Sequence, residues 1–221
     1  MKKTTLFIIL FITSLSVFAG KAKINITTAP DAQIYVNGTL NGTGSTIIVI
    51  GKDETVNVRV KKVGFITQEF NFKNDGVTKL PKSKYIPFAD EQKDLSYDNS
   101  TSTDIANKDI DIATALLEND AWKLISQIVS SHFDIIDVTD RNSGYLRTAW
   151  VIKRYGTVTV RTRLIVKMGN SNPLLYKVKL VSERSEDPSA GAKDDDKFQE
   201  WDRLLRIYEN IVPELQSRLG K

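Results

Sequence analysis

Apolar and polar residues alternate through residues 21–73, and this alternation predicts a series of short β-strands. Ile24 and Ile26 are separated by a polar residue, and Val56, Val58 and Val60 repeat the pattern further along. A period of two places every second side chain on the same face of a sheet. Gly and Asn interrupt the pattern at intervals of roughly 8–12 residues, which is typical of a small all-β sandwich.

Two Asn-Gly pairs stand between these strands and predict tight reversals of the chain. They are Asn37-Gly38 and Asn41-Gly42. Asn and Gly accept the positive φ angles that short hairpin turns require. We therefore expect a turn at each pair.

Residues 74–110 differ from the strands before them, because polar residues dominate and Pro81 and Pro87 interrupt the chain. The hydrophobic pattern there shows little periodicity, so we predict a linker. A bare loop of this length is uncommon in compact proteins, and we expect part of it to lie along the second domain.

Residues 111–221 predict an α+β domain. Apolar residues at spacings of three and four indicate a helix over residues 112–129. Four β-rich runs follow, at residues 133–138, 145–153, 157–168 and 174–182, and the last helical pattern ends near Leu219. Pro213 should kink or locally break this last helix. The order predicts a four-stranded antiparallel sheet whose inner face is covered by the two helices.

The outward positions of this sheet share a positive charge, and they form the candidate ligand-binding surface. The residues are Arg147, Lys153, Arg161, Arg163, Lys177 and Lys179. Guanidinium groups bind carboxylate or phosphate through paired hydrogen bonds, so acidic glycans, lipid headgroups or an acidic partner are candidate ligands. The alternative is an ordinary solvated face, which antiparallel sheets normally have. We expect that changing Arg161 and Arg163 to Ser weakens binding with little loss of stability.

The inward positions predict a filled core between the sheet and the helices. They include Leu146, Trp150, Ile152 and Leu164 on the sheet, and we interpret Trp122, Trp150 and Trp201 as core residues.

Other polar groups favour structural roles over catalytic or metal-binding ones. His132 is the only histidine and cannot build a multi-histidine zinc site, so we interpret it as a partly buried residue at a helix end. The run of residues 194–196 lacks the spacing of a calcium loop and suits the start of the last helix. We predict no catalytic residue, no metal site and no cofactor.

The first residues predict export. Lys2 and Lys3 precede a short apolar run, and small residues at Val17 and Ala19 suit cleavage after residue 19. Residues 1–19 are therefore interpreted as a signal peptide, with an uncleaved N-terminal anchor as the alternative. We expect no transmembrane span after cleavage, because no second run of about 20 apolar residues follows.

Composition narrows the partners and the chemistry. The chain has 221 residues and no cysteine, which excludes disulfides and thiol catalysis. Its 31 basic and 27 acidic residues give a formal net charge of +4, and two of the basic residues lie in the predicted signal peptide. A chain so nearly balanced has no global attraction for nucleic acid.

The strand and turn residues of the segment 20–73 resemble the PEGA domain, a small β-sandwich of bacterial envelope and surface proteins. The resemblance is carried by Pro30, Ala32, Tyr35-Val36, Gly38, Gly42-Thr43 and Gly64-Phe65. Asp31, Gly44 and Phe65 depart from the Gly, Pro and Tyr that are usual in the family. The resemblance implies a module for attachment or spacing, and it brings no catalytic residue.

The segment 111–221 resembles the helix-grip repeat domains of BamC, a lipoprotein of the outer-membrane barrel-assembly machinery. The resemblance is carried by Ala121-Trp122, Phe133-Asp134-Ile135, residues 144–150 and residues 161–164. The lipid-bearing cysteine of that family is absent here. The resemblance implies a domain that binds a partner or ligand.

Together these features predict an exported, non-enzymatic protein of the periplasm, cell envelope or cell surface that binds an envelope protein or a glycan. The alternative is a periplasmic carrier of a small molecule or lipid, with a cavity between sheet and helix. An enzyme would require His132, Asp134 or Asp137 to meet other polar groups in a cleft.

Overall fold

The computed structural model describes residues 20–220, which divide into two compact units. The first comprises residues 20–63 and 67–89, and the second comprises residues 64–66 and 90–220. The described chain is mostly β-structure, with several sheets and a few helices.

Two predictions concern export and the membrane, namely a signal peptide and no transmembrane span after it. The predicted signal peptide lies outside the described residues. Among the residues that are described, no helix has both the length and the apolar character needed to cross a membrane.

The first unit is built from two sheets that share one apolar cluster. Its strands are β1 (Ala22–Thr28), β2 (Gln33–Val36), β3 (Thr39–Thr43), β4 (Ser45–Ile50), β5 (Thr55–Lys61), β6 (Gln68–Lys73) and β7 (Ser83–Ile86). One sheet has the order β4-β1-β7 and the other has the order β3-β2-β5-β6. Ile24, Ile48, Ile34 and Val58 are buried together in the cluster. The alternation seen in the sequence therefore corresponds to strands that are buried on one face.

Only one of the two predicted Asn-Gly turns exists. Asn37 and Gly38 have φ angles of 48° and 83° between β2 and β3, which confirms that turn. The second pair was wrongly predicted to turn, because Asn41 and Gly42 lie inside β3 and the chain reverses at Gly44, with φ of 71°. Gly42 is needed for a close approach, since a Cβ there would lie 2.7 Å from the Ser45 carbonyl oxygen.

The predicted linker is not a bare connection in its first half. Strand β7 runs parallel to β1, and the Asn25 amide donates to the Lys82 carbonyl at 2.9 Å. Ile86 is buried, and its carbonyl accepts from the Thr28 hydroxyl at 2.8 Å. The segment has few apolar side chains because its pairing with β1 uses backbone groups.

The second unit is built around a large sheet. Its strands are β8 (Ser100–Ser102), β9 (Ile110–Ala113), β10 (Ile136–Asp140), β11 (Tyr145–Thr148), β12 (Val151–Tyr155), β13 (Val158–Ser171), β14 (Leu174–Ser185), β15 (Gln199–Glu200) and β16 (Arg203–Leu205). Its helices are α1 (Leu95–Asp98), α2 (Glu118–His132) and α3 (Ile211–Leu219). The main sheet has seven strands instead of the predicted four, in the order β10-β11-β13-β14-β15, with β12 on β13 and β9 on β14. A separate pair joins β8 and β16.

Buried polar side chains attach the second half of the predicted linker to this unit. The fully buried carboxylate of Asp94 accepts from the Ser96 hydroxyl at 2.6 Å and forms an ion pair with Arg184. The Asn107 amide donates to the carbonyls of Ser182 and Trp201 at 3.0 and 2.9 Å. A charge removed from water is retained only with such partners, so these contacts fix the path of the segment.

Both predicted helices begin later than the sequence pattern indicated. Ile112 belongs to β9, and α2 begins at Glu118. The last helix begins only at Ile211, so the preceding apolar residues reach the core from β16 and the segments beside it. Pro213 consequently lies in the first turn of α3, where a missing N–H costs nothing, and the helix continues through it to Leu219 without the predicted interruption.

An extra residue separates β11 from β12 and reverses the faces of the second strand. Arg147 lies opposite Ile165 and Val151 lies opposite Thr162, so four steps on one strand match three on the other. Such a bulge shifts every later side chain to the other face. Val151 therefore packs against the core and Ile152 lies opposite Arg161, which is the reverse of the predicted arrangement.

His132 is a partly buried residue at the end of α2, as predicted, and it also joins α2 to α3. Its Nε2 lies 3.0 Å from Glu214 Oε2, and Arg218 binds the other oxygen of the same carboxylate at 2.8 Å. The contacts from His132 and then Arg218 hold the pKa of Glu214 below its usual value. This carboxylate therefore stabilises the packing of α2 against α3 while it is ionised.

We predict that Glu214→Gln reduces the pH dependence of stability on the acidic side. A carboxyl group with a lowered folded-state pKa stabilises the fold above its unfolded pKa and loses that contribution as the pH falls through the folded value. Urea unfolding between about pH 6 and pH 3 should therefore show a smaller loss of stability in the variant than in the unaltered chain. Glu91→Gln, at an exposed position of the same unit, is the control and should keep the original profile. Identical profiles for Glu214→Gln and the unaltered chain would contradict the prediction.

Candidate functional site

A polar cleft opens on the face of the large sheet that is turned away from the helices. Its volume is about 450 Å³. Its lining residues come from four strands, the connection between β11 and β12, and the loop after β14. They are Asp137, Arg147, Trp150, Arg161, Arg163, Glu183, Ala192, Lys193 and Asp195. The cleft therefore concentrates charged groups of both signs around one tryptophan.

Three of the six predicted basic residues meet in this cleft, and three do not. Arg147, Arg161 and Arg163 line it. Lys177 and Lys179 lie on the same face outside it, and Lys177 forms an ion pair with Asp111 at 3.0 Å.

Lys153 was wrongly placed on this face. It lies opposite the core residue Val160, and directly opposed residues share a face. The bulge between β11 and β12 moves Lys153 to the other face of the sheet. Its side chain is exposed to solvent.

Trp150 lies in the cleft and not in the core, which corrects its predicted position. The guanidinium carbons of Arg161 and Arg163 lie 4.2 and 4.0 Å from the centre of its ring. Trp122 and Trp201 do occupy the core as predicted. Trp150 therefore serves as an aromatic platform that positions two arginines by cation–π contact.

Arg161 is a buried structural residue, with only 3% of its side chain exposed. Its Nε donates to Glu183 at 2.7 Å, its Nη1 to the Ala192 carbonyl at 2.9 Å, and its Nη2 lies 2.7 Å from Asp195. The Phe198 ring centre lies 4.1 Å from its guanidinium carbon. Every nitrogen of this guanidinium is engaged, so Arg161 holds the loop against the sheet.

The loop over residues 186–198 is fixed at several other points. Thr159 and Arg154 donate to its carbonyl groups at Asp187 and Pro188, at 2.9 and 3.1 Å. Within the loop, Asp187 accepts from Ser189 and Lys197, and these contacts lower the pKa of Asp187 to about 2. The loop thus forms a shaped wall of the cleft.

Arg147 is also paired, at the opposite side of the cleft. Its Nη2 lies 2.6 Å from Asp137 Oδ2, and this hydrogen bond raises the pKa of Arg147 above its usual value. Asp137 lies at the register irregularity in β10, which brings its carboxylate to the arginine.

Arg163 differs from its two neighbours because no carboxylate binds it among the described residues. Its Nε is buried without a hydrogen-bond partner, and the residue lines the cleft. Burial, followed by repulsion from Arg147, lowers the pKa of Arg163. A guanidinium that lacks an acceptor in a partly buried position is prepared to bind an anion.

The other candidate polar residues do not assemble into a second site. His132 is engaged with Glu214, whereas Asp137 is engaged with Arg147. Residues 194–196 lie far in sequence before α3, and Asp195 begins a short 3-10 helix, so their predicted place at the start of the last helix was wrong. Over residues 20–220, no group of three or more potential ligand side chains is placed to hold a metal ion.

Sequence reasoning missed Trp150, Glu183, Lys193 and Asp195 as lining residues of the cleft. It named Asp137 only as a possible catalytic group, and the structure places Asp137 in the cleft, bound to Arg147. Of the missed residues, Glu183 was the one that the sequence could have predicted. It lies at the same outward-facing alternate positions as Lys177 and Lys179 once β14 extends to Ser185. Trp150 depends on the bulge, and the two loop residues depend on how the loop folds back.

Comparison with protein-family models, with curated proteins and with solved structures found no match to this chain.

We predict that the two central arginines differ in their effect on stability, which changes the expectation for Arg161. Arg161→Ser removes a buried ion pair and the anchor of the loop, and should lower the free energy of unfolding by about 2–4 kcal/mol. Arg163→Ser removes a cation–π contact and relieves repulsion, so its loss should stay below about 1 kcal/mol. Urea denaturation measures both values. Equal losses would contradict this division of roles.

Proposed function

We propose that this chain is an exported, non-enzymatic binding protein of the bacterial cell envelope, whose second unit binds an anionic partner or ligand in the cleft. The observation that carries the proposal is Arg163. Its guanidinium is held on Trp150, lines the cleft and has no carboxylate partner among the described residues.

The cleft suits binding because its scaffold is already in place. Arg161, Glu183 and Asp195 hold one wall together, and Arg147 and Asp137 hold the other. A ligand that reaches Arg163 therefore meets a shaped surface and does not have to order it, which is the condition for efficient recognition.

The same contacts favour binding over catalysis. Each carboxylate of the cleft is bound to an arginine, and His132 is engaged with Glu214 elsewhere in the unit. A general base has to reach a substrate proton with a free oxygen or nitrogen. We therefore propose recognition as the role of these charges.

The resemblances to known domains supply the proposed setting. The first unit has two sheets around one apolar cluster, with positive φ at Gly38 and Gly44, and these features support a PEGA-type sandwich. In the second unit, α2 and α3 with an antiparallel sheet support a helix-grip type, extended by additional strands. We propose that the first unit attaches or spaces the protein in the envelope. Export rests on residues 1–19 and on the same resemblance.

A carrier with a cavity between sheet and helices has less support. Leu146, Leu164 and Trp201 are buried there and pack in one cluster with residues of both longer helices. Apolar side chains of this size fill the layer that a carried molecule would occupy.

Site-specific cross-linking in the native envelope tests the proposal. A photoreactive amino acid at Ala192, in the cleft wall, should capture a specific species, and the adduct should disappear when Arg163 is changed to Gln. The matched control is Lys167→Gln, which removes the same charge from the same face outside the cleft lining. A second control places the photoreactive group at the exposed Leu117. An adduct at position 192 that persists in Arg163→Gln would refute the cleft as the binding site.

A further inference from the structure

The charges of the cleft nearly cancel and leave a small positive excess. Four basic side chains line it, namely Arg147, Arg161, Arg163 and Lys193, against three acidic ones, Asp137, Glu183 and Asp195. The net charge of the lining is therefore +1. One monovalent anion brings the cleft to neutrality, whereas a divalent anion leaves an excess negative charge beside three carboxylates.

The positive excess resides on two groups that have no ion-pair partner among the described residues. These are Arg163 in the sheet and Lys193 in the loop. Arg161 already serves Glu183 and Asp195, and Arg147 serves Asp137. The free donors thus belong to one side chain from the sheet and one from the loop.

The internal ion pairs show the geometry in which this cleft holds a carboxylate. In each of them a planar carboxylate approaches a guanidinium of the cleft, at distances of 2.6 to 2.7 Å. Glu183 and Asp195 share one arginine, and this crowding disfavours additional negative charge nearby.

We infer that the group recognised in the cleft is a single carboxylate, bound by Arg163 and Lys193, and that the negative charge of Asp195 on the neighbouring Arg161 opposes its binding. This inference rests on the proposed function and specifies its ligand chemistry. The carboxylate belongs to the ligand or partner that the cross-linking experiment captures. A phosphate ester, which carries nearly two charges at neutral pH, is the anion that the cleft excludes.

Asp195 is suited to a test of this repulsion because its attachment is one-sided. Its side chain is 81% exposed and reaches the cleft only through Arg161, which Glu183 also binds. Asp195 lies two residues after Lys193, so both act from the same short stretch of the loop. Neutralising Asp195 raises the net charge of the lining from +1 to +2. It leaves in place Arg163 and Lys193, the two side chains that donate to the ligand.

Titration of the purified exported chain with acetate and with methyl phosphate tests the inference. The readout is the Arg163 Nε–H signal in nitrogen-15 NMR, assigned by its disappearance in Arg163→Gln. The titrations are run at pH 8 with constant ionic strength, because exposed charges are screened by salt.

Acetate should shift this signal saturably and bind more tightly than methyl phosphate. Asp195→Asn should tighten acetate binding by about threefold to tenfold, as expected for removing one nearby like charge. Binding to Arg163→Gln, followed by the shift of the Trp150 indole N–H, should weaken by at least about tenfold, because a charge-assisted pair is lost. Lys167→Gln should change acetate affinity by less than about twofold, since a solvent-exposed charge outside the cleft is largely screened.

Three results would overturn the inference. Methyl phosphate could bind as tightly as acetate, acetate could fail to saturate the signal, or Asp195→Asn could leave acetate affinity unchanged. In each case an Arg163-dependent adduct at position 192 would still support the cleft as the binding site. Loss of that dependence would refute the proposed function independently of the anion titrations.

Discussion

The extra residue between β11 and β12 is the constraint on which the cleft depends. Directly opposed residues of a sheet share a face, so one inserted residue transfers the rest of the strand to the opposite side. The transfer brings Trp150 out of the core and onto Arg161 and Arg163. It also sends Val151 into the core, where it packs against the apolar cluster. Without the bulge, Arg163 would lose the aromatic ring on which its guanidinium packs, and Arg161 would keep only Phe198.

Three arginines on one sheet face then take three different roles because their surroundings differ. Arg161 is almost fully buried, and a buried guanidinium requires acceptors for its donors, so it draws in Glu183, Asp195 and a loop carbonyl. Arg147 on β11 forms an ion pair with Asp137 on the neighbouring strand β10. Arg163 lies between them without a carboxylate. The acceptors that Arg161 requires thus hold the loop that forms one wall of the cleft. This wall lies beside Arg163, which remains available to a ligand.

Several differences between the predicted and the observed elements have one origin. A segment that pairs through its backbone groups does not need a regular pattern of apolar side chains, so its sequence gives little sign of the pairing. The polar segment with β7 joins β1 through backbone groups and a single buried Ile86. The spacing of Trp201, Leu204 and Tyr208 suits a helix, yet the Trp201 amide donates to the Ser182 carbonyl and β16 pairs with β8. Long-range partners satisfy those backbone groups in place of a local helix.

The amino-acid sequence by itself determined the properties that depend on near neighbours. The alternation of apolar and polar residues determined the half-buried strands, and the Asn37-Gly38 pair determined a turn. Helical spacing determined most of α2. The two-residue period of β13 placed Arg161 and Arg163 on one face of the sheet. The tertiary structure alone decided the side on which Trp150 and Lys153 lie, where the last helix begins, and which arginine lacks a partner. Those outcomes depend on the register between strands and on ion pairs between residues more than 20 positions apart, as for Arg161 with Glu183, and no local pattern encodes such distances.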